Sequence, residues 1–211
     1  RFEIVRALRK IGDPSVCKEL TNLVSYSDFR IRNEAVYTLG RFRYRESVSE
    51  LTHLYENETS RPAKQIDKTY RERLLDALAF VADPSSKDLF LKEKRNPDDA
   101  LRLHAFEGLA RIGDAAMVTE VSRDRLYEKV PRIQTAQAFA LYRMGRKEYM
   151  DEVVKGLGSR KTNNEAKQYL VETRPEELPG LYAQIRNDDV DIREALAEIF
   201  GLIGDSRAVE V

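Results

Sequence analysis

One cysteine, two histidines and no tryptophan stand among 211 residues. A lone Cys17 excludes an internal disulfide and any thiolate metal cluster. Lying at helical spacing with Leu20 and Val24, it reads as a small core residue, and a reducing, cytoplasmic setting fits it. Two histidines, His53 and His104, cannot build a histidine-based pair of metal centres. The absence of tryptophan removes the best platform for stacking a nucleic-acid base. No apolar run approaches the roughly 20 residues of a membrane span, and the opening "RFEIVRALRKIG" is not a signal peptide, so no membrane insertion is expected. Charge of one sign is lacking too. Thirty-six basic and 36 acidic residues cancel, and nothing global draws the chain to nucleic acid or to an anionic membrane. A glycine-rich phosphate loop, a nucleophile elbow and a Cys–His arrangement around Cys17 are all missing. The expectation is a non-enzymatic protein with no catalytic residue, no cofactor and no metal site.

What is present is repetition. "ALRKIGDPSV" (Ala7 to Val16) returns as "GLARIGDAAMV" (Gly108 to Val118) and "FGLIGDSRAV" (Phe200 to Val209). The glycine slot of this phrase falls at Gly12, Arg43, Ala82, Gly113, Gly145, near Arg174 and at Gly204. Steps of about 30 residues, with one longer step after Arg43, fit two-helix solenoid repeats. Before the phrase, Ile31, Ala35, Val36 and Leu39 gather on one helical face; after it, Val16, Leu20, Leu23 and Val24 form another stripe. Gly12 and Gly113 can take the left-handed conformation that stops a helix, and Asp13-Pro14 and Asp83-Pro84 can start the next. Ala7, Ala35, Ala77, Gly108 and Ala140 are read as small residues that let first helices approach closely. The longer step, "YENETSRPAKQID", predicts an N-cap at Ser60 and Pro62 in the first turn of a helix ending near Ala82.

The segments "IRNEAVYTLGRF", "LRLHAFEGLARIGDAAMV" and "IREALAEIFGLIGDSRAV" resemble the HEAT-repeat superfamily, in particular the HEAT-like repeats named after phycobilisome lyases. The resemblance implies an all-α fold, a right-handed α-α superhelix of about seven helix pairs, forming one domain over 1–211. The chain opens and closes inside helical patterns, the expectation for an excerpt of a longer polypeptide with neighbouring domains. Arg32, Arg71, Arg102 and Arg193 share a slot early in the first helix, and Asp13, Asp83, Asp114 and Asp205 share one in the turn. The resemblance implies a structural ladder of caps and ion pairs, with looser junctions where Tyr44 replaces the aspartate and Gln134 the arginine. One branch, deoxyhypusine hydroxylase, holds two irons through His-Glu pairs in these helices. Here the comparable positions read Asn33-Glu34 and Leu103-His104, so that site is not expected.

In this superfamily the second helices line the inner surface of the curve. Their outward residues are therefore the expected partner-binding set: Lys18, Asn22, Ser49, His53, Lys87, Lys94, Arg123, Tyr127, Lys147 and Asp151. The expected partner is a protein or peptide. Tyr26, Tyr55 and Tyr127 end successive second-helix patterns and either face a partner or pack between repeats. Two weaker alternatives remain. One is a HEAT-like enzyme or chromophore-handling subunit that uses the ten tyrosines and eight phenylalanines. The other is nucleic-acid binding through Lys87, Lys92, Lys94 and Arg95 with Arg123, Arg125, Lys129 and Arg132, although Glu120, Asp124 and Glu128 interleave. From Glu172 onward ten acidic residues face four arginines, which makes that end acidic.

Overall fold

The structure, a computed structural model, describes residues 2–204 and 207. The described residues form 13 α-helices and no strand, packed in sequence order as in a HEAT-repeat solenoid. They fall into two compact units, Arg1–Ile112 and Gly113–Val211. Unit 1 holds the first helices α1 (Phe2–Ile11), α3 (Phe29–Arg41), α5 (Lys68–Val81) and α7 (Asp99–Ile112) with the second helices α2 (Cys17–Thr21), α4 (Val48–Thr59) and α6 (Lys87–Glu93). Unit 2 holds α8 (Val118–Arg125), α9 (Pro131–Arg143), α10 (Met150–Lys155), α11 (Asn163–Val171), α12 (Leu178–Tyr182) and α13 (Val190–Ile203). The seventh repeat is described through α13 only.

The glycine slot is a backbone instruction rather than a residue type. Gly12, Gly113, Gly145 and Gly204 have φ of 79°, 69°, 101° and 71°, and Arg43 and Ala82 keep the same left-handed conformation at 51° and 53°. Only the slot near Arg174 lacks it among the described residues. After each such residue up to Gly145 a single 3-10 turn opens the second helix, as at Pro14–Val16, Pro84–Ser86 and Ala115–Met117. The turn aspartates cap these starts. The N–H groups of Ser15, Ser85 and Ala116 donate to Asp13, Asp83 and Asp114 at 2.9, 3.0 and 2.9 Å. Asp205 lies outside the described residues. Tyr44 makes no side-chain cap. A left-handed alanine costs about 1 kcal/mol that glycine avoids, so Ala82→Gly is expected to stabilise unit 1 by about 1 kcal/mol in urea unfolding.

The arginine slot departs from the expected ladder in its partners. Arg32 pairs with Asp67 at 2.6 Å and Arg71 with Asp98 at 3.7 Å. Asp67 and Asp98 both precede the next first helix, so the arginine ties consecutive first helices together instead of meeting a turn aspartate. Arg102 and Arg193 also donate to the carbonyls six residues back, Asn96 and Asn187, at 2.9 and 2.6 Å. Gln134 reproduces that contact on the Glu128 carbonyl at 2.7 Å, so the expected loosening does not occur at this contact.

Unit 1 is held by first helices packed side by side, α1 on α3, α3 on α5 and α5 on α7, with α2, α4 and α6 each against the next first helix. Leu39, Leu74, Leu75, Leu78, Phe90 and Phe106 are all buried. Each large apolar side chain taken from water contributes about 1.5–3 kcal/mol. Cys17 lies within this core, where burial, then the charges of Glu46 and Asp13, push its thiol up, the reverse of an activated nucleophile. In unit 2, α9 stacks Phe139 on Tyr169 of α11 with ring centroids 4.5 Å apart.

Two sequence expectations need correction. Ala35 is buried but sits one turn too early. Counting five residues back from the left-handed positions gives Ala7, Thr38, Ala77, Gly108, Ala140 and, at the last, the larger Ile199, and buried Thr38 fills the slot by donating its hydroxyl to the Glu34 carbonyl at 2.7 Å. Ala7, on α1, is exposed. Ser60 ends α4 rather than starting α5. The cap of α5 is Asp67, which accepts from the Tyr70 N–H at 3.0 Å, and buried Glu58 fixes the loop by accepting from the Asp67 N–H at 2.6 Å. Pro62 lies extended at φ −52°, ψ 139°, ahead of a 3-10 turn over Ala63–Gln65.

Candidate partner-binding surface

The structure places most of the expected set in water. In unit 1, Lys18, Asn22, Ser49 and His53 are exposed, the last accepting at Nε2 from the Asn57 amide N–H at 2.9 Å. Buried Leu51 and Tyr55 mark the opposite face of α4. Lys87 is half-buried. Lys94 contradicts the reading, since it is 4% exposed. Phe90, Glu93 and Lys94 stand at i, i+3 and i+4, so the stripe centred on buried Phe90 carries Lys94 inward. Removing Lys94 also breaks up the basic run that favoured nucleic acid.

In unit 2, Arg123, Tyr127, Lys147 and Asp151 are exposed, but two of them already serve the fold. Lys147 donates to Glu177 at 2.7 Å and stands 4.8 Å from the centre of the Tyr142 ring. Asp151 accepts from the Gln184 amide at 2.7 Å. Against its burial, donors from Arg174 and Lys147 hold the Glu177 carboxyl down to about 2. Tyr127 is 78% exposed and its neighbour Leu126, which sequence reasoning missed, 77%. Both follow the end of α8, where the chain leaves the stripe centred on buried Val121. A Leu-Tyr pair after a charged run was the available signal. The tyrosine row is not a common surface, because Tyr55 is buried and Tyr26 half-buried.

One polar cluster was not foreseen. Asp76 and Glu107 each stand six residues before a left-handed turn, on α5 and α7, and His104 joins them. His104 Nδ1 lies 2.8 Å from Glu107 and 3.8 Å from Asp76, and its Nε2 is 3.7 Å from Glu72. Asp76, His104 and Glu107 offer three ligand atoms within 4.8 Å of one another, the one described group with the donor types of a metal site. Arg73, 3.3 Å from Asp76, adds a cation beside it. Burial alone would lower the imidazole pKa. The hydrogen bond that the ring donates to Glu107, the nearby Glu72 carboxylate and the charges of Glu107 and Asp76 outweigh it and raise the pKa to about 10. His104 is thus the buried cation between two carboxylates. A folded pKa above the ordinary value of about 6.5 means that its stabilisation is complete below that pH and is lost as pH rises through 10. The melting temperature is expected to fall between pH 7 and pH 10, and His104→Asn to flatten that slope.

Helix pairs joined through left-handed residues, with first helices packed in order, are the arrangement of a HEAT-repeat solenoid. The family model described as HEAT repeats matches residues 1–67. No characterised protein matches the chain by sequence. Among solved structures it is similar to the complex of CpcE and CpcF of phycocyanin lyase from Nostoc sp. PCC7120, at 15% identity over 89% of this chain and 93% of that one, with TM-score 0.50. It is also similar to human deoxyhypusine hydroxylase in complex with glycerol, at 16% identity over 100% of this chain and 81% of that one, with TM-score 0.46. The likeness to the phycocyanin lyase complex is one of fold. Among the described residues no helix is long and apolar enough to cross a membrane.

Proposed function

We propose that the chain is a non-enzymatic scaffold whose second helices present a surface to a protein or peptide partner. The observation that carries this reading is the Leu126–Tyr127 pair, two large apolar side chains more than three-quarters exposed, side by side after α8. Adjacent exposed apolar residues cost solubility, and tyrosine is enriched where protein interfaces concentrate their binding energy. Exposed Arg123 on the same helix supplies a polar rim. The phycocyanin lyase neighbour is a chain from a complex of CpcE and CpcF, which agrees with this reading without carrying it.

A photoreactive residue at position 127 tests the proposal. Cross-linking in cell extract should yield one discrete protein adduct that is lost when Leu126 is changed to Asp. Adducts equal to those from exposed Lys64, on the loop before α5, would contradict it.

A further inference from the structure

Two residues before the left-handed turns of unit 1 stand Lys10, Arg41, Phe80 and Arg111, one on each successive first helix. Arg41 is exposed, with its guanidinium carbon 3.7 Å from the centre of the Phe80 ring and 4.8 Å from that of Tyr37. Arg9 and Arg73 approach the same Tyr37 ring at 5.1 and 4.9 Å, and Arg111 approaches Phe80 at 4.0 Å. Three first helices therefore send guanidiniums to one tyrosine.

The cations differ in what they have left to give. Arg9 is held by Glu34 at 2.9 Å and Arg73 by Asp76 at 3.3 Å. Arg41 contacts the two rings and pairs with no carboxylate among the described residues. Contact with a ring uses the flat face of a guanidinium and leaves its in-plane N–H donors for an acceptor. A side chain already restrained by two rings also loses less rotamer freedom when it binds.

We propose that Arg41, framed by Tyr37 and Phe80, anchors a carboxylate side chain of an acidic peptide, with exposed Lys10 as the second contact. Lys10 occupies the same slot on α1, which packs against α3. Packed helices lie about 8–10 Å apart, and a peptide in the polyproline II conformation advances about 3.1 Å per residue with about three residues per turn, so acidic residues three apart share one side and reach both cations. Spaced single carboxylates suit this surface better than a phosphate backbone does. Glu34, Glu72 and Asp76 stand among the cations, and a continuous row of phosphates would run over them. The site lies on first helices, so it stands or falls separately from the surface around Tyr127.

Fluorescence anisotropy on the full chain tests it, with a labelled peptide of repeated Glu-Gly-Gly units, its Gln-Gly-Gly counterpart and an oligothymidylate of similar length. The Glu peptide should bind and the Gln peptide should not. Arg41→Ala should weaken binding about tenfold, and Arg41→Lys, which keeps the charge without the planar fork, about threefold. Lys64→Ala should leave binding unchanged, and circular dichroism should show each variant folded at the assay temperature. Wild-type affinity in the Arg41→Ala variant would overturn the proposal. So would equal binding of the Gln peptide, or tighter Arg41-dependent binding of oligothymidylate.

Discussion

Replacing Gly40 by alanine is expected to destabilise unit 1 by about 3 kcal/mol, at the upper end of what overpacking costs. Gly40 lies inside α3, where alanine would normally favour the helix by about 1 kcal/mol. A Cβ built there, however, meets the Ala77 Cα at 2.7 Å and the Ala77 Cβ at 3.0 Å. That obstacle is backbone of α5, so relief requires α3 and α5 to separate along the interface that buries Leu39, Leu74 and Leu78. Urea unfolding should show a lower midpoint with little change in slope. Gly201 supplies the contrast. It is also helical, on α13, but a Cβ there meets nothing within 4 Å, and Gly201→Ala should stabilise by up to about 1 kcal/mol.

Gln137→Leu is expected to stabilise unit 2 by about 2 kcal/mol, within the usual penalty for a buried polar group without a partner. Gln137 is 1% exposed in α9, and neither its amide nitrogen nor its oxygen has a hydrogen-bond partner. Counting eight residues back from the left-handed turns places it in register with Ala35, Leu74, Ala105 and Leu196, all buried, and with exposed Ile4 on the first helix. Leucine therefore already fits this slot elsewhere in the chain. A raised urea midpoint is the expected result, and a lowered one would mean that the amide serves a partner in solution.

The fold was legible because its instructions are short-range and repeated. Arg43 and Ala82 were placed in the glycine slot by register alone, and both have the backbone that slot requires. Local chemistry also explains the misses. At the longer step the sequence points to Ser60 as the cap, whereas the structure uses Asp67, which is fixed by buried Glu58 through a contact nine residues away that no pattern announces. Lys94 carries a charge that points to the surface, yet its position four residues after Phe90 takes it into the buried stripe. The cluster around His104 needs α5 and α7 side by side before Asp76, Glu72 and Glu107 converge.

Function was less legible because repeat positions are filled for stacking, and the same physics selects them whatever the partner. Informative residues are those that stacking does not require. Cys17, Tyr55, Phe90 and Phe106 are buried in the core of unit 1, and Lys147 and Asp151 are engaged by neighbouring side chains. Leu126 and Tyr127 are exposed without a role in closing a core, and Arg41 is exposed with no carboxylate partner among the described residues while its guanidinium lies against the Tyr37 and Phe80 rings. They lie on a second helix's end and on a first helix, so unit 2 and unit 1 offer surfaces of different chemistry, one apolar and one cationic.

Affinity enrichment from cell extract tests the central claim most directly, comparing the wild-type chain with the Leu126→Asp, Tyr127→Asp double variant, both shown to be folded. The account predicts a protein retained by the wild type and depleted about tenfold or more by the double variant, the loss expected when an interface anchor is removed. Identical retention by both chains, or retention of nucleic acid or a pigment in place of protein, would contradict it.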